Sequence, residues 1–301
     1  MQKIKNCILD RMIAEKLQSK EVDFLLYVSR FQDEEGKVCG IYYKDVCEKM
    51  RMSHQEFYNV KLSLEKKGFI RCEKNNWSDH DITILGNREE DCLKEGYINT
   101  NHNIFYTKEF YRLKAGAKLL AMHLMKVSYA GKGYFQIGKA KFYDEAKGYT
   151  KRFGVTKRVL RGYLMSLKGL FFSIGLKNGM YYIEPLKRIY RKIHEKSEQQ
   201  RHEEHHVKSI CRRAKIRHAD EDAQRDIGTL FHQYKERVKN ISGSMMGLVE
   251  QAVMRSLEVI NKENRTQSRR ELKASLVHKL LREEIERREA AKTAYGCQVR
   301  L

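Results

Sequence analysis

Proline is almost missing from this chain: Pro185 is the single example in 301 residues. That excludes an extended, Pro-rich protein and leaves long stretches free to be helical. No stretch approaches the ~18 consecutive apolar residues of a membrane-spanning helix, and the opening MQKIKNCILDRM lacks the apolar run of a secretory signal. Seven cysteines (7, 39, 47, 72, 92, 211 and 297) are odd in number, widely spaced and without a C-x-x-C pair. They read as reduced thiols of a cytoplasmic protein, neither a disulfide frame nor a zinc knuckle. The phosphate loops G-x-x-x-x-G-K-[ST] and G-x-G-x-x-G and the nucleophile elbow G-x-S-x-G are absent too. Nothing therefore points to an enzyme, a cofactor or a metal.

Acids are also scarce, but only locally. Residues 97–187 hold four of them, Glu109, Asp144, Glu145 and Glu184, against seventeen Lys and Arg, a net of +13. Residues 1–96 are near neutral at −1, and residues 188–301 carry +9, within a total of +21. Solubility is served by either sign, so a segment this one-sided predicts a polyanionic partner. Nucleic acid comes first, and a membrane surface is the competitor.

What is present is a repeated order of elements. In residues 1–96, Ser19-Lys20-Glu21 opens a helix with Val22, Leu25 and Leu26 on one face, and residues 38–42 form a strand. Tyr43–Met50 has helical spacing, and Ser53 to Glu56 is a capping box ahead of Phe57, Val60 and Leu64. Residues 69–73 and 81–85 read as strands around a polar tip, 74–80. The order recurs in residues 97–187: a helix over 115–127, a strand at 134–137 and a helix over 141–152 with Phe142, Tyr143 and Ala146 inward. A tight Phe153-Gly154-Val155 turn follows, then a helix capped by Thr156 that buries Val159, Leu160, Tyr163, Leu164 and Leu167. A hairpin, 171–175 with 180–184, closes the segment. The fold class is thus mainly α with small β wings (α+β): two tandem winged-helix domains, 1–96 and 97–187, followed by a helical C-terminal region, 188–301.

In a helix-turn-helix the second helix enters the major groove, and its outward N-terminal residues meet the base edges. In the second segment these are Lys157, Arg158, Arg161 and Met165, with Lys168 near the far end and Thr156 at the cap. Arg suits guanine, Lys suits guanine or phosphate, and a helix N-terminus favours phosphate. Lys177 on the wing, with Lys151 and Arg152 before the turn, would lie by the DNA backbone. Each is equally well read as part of a basic solvent-facing stripe. In the first segment the equivalent residues are His54, Gln55, Tyr58 and Asn59. Gln and Asn can read adenine, but little charge is there to hold phosphate, and contact with protein is an equal reading.

Two winged helices, the first near neutral and the second basic, resemble the replication initiators of bacterial plasmids and mobile elements over residues ~20–185. The resemblance implies a dimerisation role for the first domain and origin recognition for the second, and it transfers no individual residue. Double-stranded DNA is the expected partner, with a homodimer left open. A transcriptional regulator of the same architecture is the alternative.

The last third carries apolar stripes over 220–241 (Ile227, Leu230, Phe231, Tyr234, Val238) and 244–260 (Leu248, Val249, Ala252, Val253). A third stripe, Leu272 to Ile285, follows a capping box at Ser268 to Glu271. They imply a small helical bundle and leave open a protein partner on its surface. Residues 188–218 read as a polar helix or linker. His202-Glu203-Glu204-His205-His206 matches the H-E-x-x-H of zinc hydrolases, but its flanks are polar and no third ligand is evident. A metal-dependent hydrolase at His202 and His206 is the remote alternative.

Overall fold

The computed structural model describes residues 2–74, 79–129, 133–191, 198–213, 221–239, 248–249, 251–256, 259 and 274–298. The chain divides into two compact units, Met1–Glu198 and Gln199–Leu301. It is mostly helical with small antiparallel sheets.

The first unit opens with a strand and helix outside the expected element order: β1 (Lys3–Lys5) and α1 (Asn6–Ala14), which buries Ile8, Leu9, Met12 and Ile13 at helical spacing. Next come α2 (Ser19–Val28), β2 (Lys37–Tyr42), α3 (Tyr43–Met50), α4 (His54–Lys66), β3 (Ile70–Lys74) and β4 (Asp79–Ile84). The strands pair antiparallel in the order β2-β4-β3. All eight residues of α2 from Glu21 to Val28 are buried, so it is the central helix of this half. Its buried Glu21 accepts from the Gln18 amide at 2.6 Å, the Ser63 hydroxyl at 2.6 Å and Lys67 Nζ at 2.7 Å, tying α2 to α4. Ser53 caps α4 as expected, its hydroxyl accepting from the Glu56 amide at 3.1 Å. The polar tip is shorter than the sequence suggested: Asp79 and His80 are buried in β4, where His80 lies 5.9 Å from the Phe57 ring. Residues 75–78 of that tip lie outside the described residues.

After α5 (Glu89–Glu95) and β5 (Tyr97–Asn99), the second half runs through a short 3-10 turn (Asn103–Tyr106) and α6 (Lys108–Arg112). It continues with α7 (Ala115–Tyr129), β6 (Phe135–Gly138), α8 (Lys139–Phe142), α9 (Tyr149–Phe153), α10 (Lys157–Leu167), β7 (Phe172–Lys177) and β8 (Met180–Pro185). Its sheet order, β6-β8-β7, matches that of the first half. One expectation fails here. The helix over 141–152 is two short helices, α8 and α9, because Asp144 Oδ1 accepts from the Ala146 and Lys147 amides at 2.7 and 2.9 Å and turns the chain. Gly148 completes the break, since a Cβ there would meet the Lys141 carbonyl oxygen at 2.5 Å. Ala146 is consequently exposed, while Tyr149 and Thr150 are buried.

The boundary read after residue 96 falls inside the first unit. β1 pairs with β5 in register Lys3↔Asn99, and α7 packs on α1 and α2 as well as on α10 and β8. One continuous core holds both halves, from Ile4 to Ile189. Asp23 on α2 and Lys118 on α7 form an ion pair of 2.6 Å with side chains 3 % and 0 % exposed.

In the second unit, α11 (Glu198–Arg213), α12 (Glu221–Lys239) and α13 (Ala274–Gln298) are joined by helical residues 251–256. Val207, Ile210, Ile227, Leu230, Val249, Val253, Val277, Leu281 and Ile285 share one core. The 244–260 stripe contributes Leu248, Val249, Ala252 and Val253 to that core, whereas the capping box at 268–271 lies outside the described residues. Among the described residues no helix is long and apolar enough to cross a membrane.

Candidate nucleic-acid interface

The geometry of the basic segment starts at α9. Lys151 and Arg152 lie exposed in the last turn of that helix, and Gly154 follows in the left-handed region at φ +57°. Thr156 then starts α10, its side chain accepting from the Val159 amide at 3.4 Å. At about 100° per residue, Leu160, Leu164 and Leu167 fall on one side of α10, and all three are buried. Lys157, Arg158, Arg161, Met165 and Lys168 are exposed. Two residues expected inward are not fully so: Val159 is 41 % exposed, and Tyr163 is half-buried, its ring over Gly116 of α7. The reason is geometric, because Leu160, Leu164 and Leu167 already fill the buried stripe of α10, a helix that packs on α7 and α9.

A buried aromatic cluster positions this segment. Phe142 stacks on Tyr149 at 4.6 Å, Tyr149 on Phe153 at 6.2 Å, and the Tyr143 and Tyr181 hydroxyls are 3.2 Å apart. Lys157 Nζ lies 5.7 Å from the Tyr143 ring, fixing the start of α10 above it. The hairpin turns in two residues, Asn178 and Gly179, at φ 50° and 71°, the geometry of a type I′ turn. Lys177 is therefore the last residue of β7, paired with Met180 and exposed at the tip. Among the described residues, no ion pair involves Lys151, Arg158, Arg161, Lys168 or Lys177. Of the acids in this segment, Asp144 is held below the ordinary carboxylate range by the Lys147 and Ala146 amides.

Arg152 is differently placed. Its Nη2 lies 2.7 Å from Asp10 Oδ1, and the same carboxylate takes Lys126 Nζ at 2.9 Å. Asp10 belongs to α1, so an acid from the near-neutral third neutralises part of the basic edge. That third also adds a cation: Lys16, exposed, brings its ammonium so close to Gly154 that a Cβ there would lie 2.6 Å from it. Lys139 joins the hairpin tip, its amide donating to the Gly179 carbonyl at 2.8 Å. No sequence signal marked Lys16 or Asp10, which come from more than a hundred residues upstream. Behind α10, His123 is buried, with Nε2 3.1 Å from the Tyr149 hydroxyl. Burial, with Arg152 and Lys126 nearby, pushes it down to about 3.

In the first half, His54, Gln55, Tyr58 and Asn59 are likewise exposed along α4. They are engaged with each other and with neighbouring rings. Gln55 Nε2 donates to Asn59 Oδ1 at 3.0 Å, and His54 meets Tyr43 edge-on at 4.7 Å. Tyr58 lies 6.1 Å from His80, and Leu62 stands 58 % exposed beside it. This face is aromatic and amide-lined, unlike that of α10.

The H-E-x-x-H stretch lies on α11. Glu203 and His206 are buried, the side chain of His202 lies outside the described residues, and no described group of three or more His, Cys, Asp or Glu could hold a metal ion. No protein-family model, curated protein or solved structure matches the chain.

Proposed function

We propose that this is a double-stranded-DNA-binding protein, in which each half of the first unit is a winged helix and α10 enters the major groove. The observation that carries the reading is the outward face of α10. It presents Lys157, Arg158, Arg161 and Lys168 to solvent directly after a tight turn and a capped N-terminus. A groove-reading helix requires that arrangement. Further support comes from Lys151, exposed in the last turn of α9, and Lys177, exposed at the hairpin tip, both open to a phosphate. The self-paired Gln55 and Asn59 favour a different use of α4, in contact with protein or a second copy.

The finer reading is a replication initiator or accessory protein of a plasmid or mobile element. Its support is the pairing of a near-neutral half with a basic half, −1 against +13. A transcriptional regulator is the alternative, and the mapped target separates the two: iterated repeats for an initiator, one palindrome for a regulator.

The test is duplex binding by the full chain across a salt series. Each phosphate neutralised contributes about −0.9 to the slope of log K against log salt, so a slope several times that is expected. No binding at low salt, or a flat dependence, overturns the reading.

A further inference from the structure

Gly162 lies in the middle of α10, and helical geometry puts it opposite the buried stripe of Leu160, Leu164 and Leu167. It is exposed, flanked by Arg158 one turn before and Met165 one turn after, with Arg161 beside it. Glycine is a poor choice for a helix interior, where alanine would be more stable. Two other glycines near this site are explained by the chain itself. A Cβ at Gly116 would strike the Tyr163 ring at 2.3 Å, and Gly154 needs its positive φ. Gly162 has neither reason: its backbone is helical, and a Cβ there would meet nothing within 4 Å.

We infer that Gly162 is the point at which α10 makes its closest approach to the base edges of duplex DNA. The missing side chain leaves a notch beside Arg158 and Met165, with Val159 and Ser166 on its other side. It lets the backbone sink into the groove so that Arg158 and Arg161, both on one side of Gly162 around the helix, reach guanine edges. Met165, 43 % exposed, then supplies an apolar surface of the kind a thymine methyl group contacts. Gly162 is a positioning residue in this scheme, acting through the arginines. The inference rests on the DNA-binding reading above.

The test is Gly162→Ala in the full chain, with a duplex selected by the wild-type chain from a randomised pool as the probe. Alanine is expected to raise the thermal midpoint by about 2–4 °C, because it is the better helix former. It is expected to weaken binding to the selected duplex about tenfold or more, because the arginine contacts lengthen. Opposite effects on stability and affinity are a signature that a purely structural glycine does not produce. Gly228→Ala is the control, a helix-interior glycine of α12 with equally open space around its Cβ, and binding should not change. Unchanged or tighter binding by Gly162→Ala, a lowered midpoint, or an equal loss in Gly228→Ala overturns this inference and leaves the DNA reading standing. Failure of the wild-type chain to select any duplex overturns both.

Discussion

The exposed side chains of α10 and α4 occupy the same place in two equivalent element orders and differ in what they hold. Arg158 and Arg161 are exposed and outside any described ion pair, whereas Gln55 already donates to Asn59. Arg158→Ala and Arg161→Ala should each weaken binding to a specific duplex by roughly 1–3 kcal/mol and relax its preference. Lys177→Ala should weaken specific and scrambled duplexes alike, and Gln55→Ala and Asn59→Ala should change little. Affinities for the two duplexes at one fixed salt decide this, and equal losses on α4 would mean that both halves read DNA. His123 supports a second residue-level expectation. Its folded value of about 3 lies below the ordinary histidine value of 6.5, so the unfolded chain takes up a proton first as pH falls. Stability from this group is complete above pH 6.5 and is lost as pH falls toward 3. The rate is about 1.4 kcal/mol per pH unit. Denaturant midpoints between pH 6.5 and 5 should show that slope in the wild type, and His123→Phe should show less of it.

At the scale of elements, the periodic helices were legible. Phe57, Val60 and Leu64 on α4 and Leu160, Leu164 and Leu167 on α10 are spaced at helical intervals, and Ser53 and Thr156 mark the starts. The short elements were not. The break at Asp144 depends on one side chain accepting two amides, and a period-3.6 pattern runs on across it. α1 carries the same local signal, Ile8, Leu9, Met12 and Ile13 at helical spacing, and only its packing on α7, over a hundred positions further on, is not local. The cap of α10 is testable by itself. Thr156→Ala should cost about 0.5–1 kcal/mol, at the low end for caps because its hydrogen bond is 3.4 Å long. Chemical denaturation measures the loss. An unchanged midpoint would show that the turn at Gly154, rather than the hydroxyl, holds the helix start.

At the scale of the whole molecule, the buried Asp23–Lys118 pair locks α2 to α7 and so the first half to the second. Burial pushes Asp23 up and Lys118 down, and each partner's charge opposes that. Lys118→Met should destabilise by about 3–5 kcal/mol, since it strands a buried carboxylate, and adding Asp23→Leu should recover most of the loss. Urea melts of the two variants test it, and a single variant as stable as the double would show that the pair carries no such role. The sequence by itself determined the helical class, the charge contrast between −1 and +13 and the outward bases of α10, because composition and periodicity are local properties. Only the tertiary structure decided that the two halves share one core, that Asp10 neutralises Arg152 and that Lys16 lies against Gly154. Those contacts join residues more than ninety positions apart, and no local pattern encodes which distant partner closes over a given face.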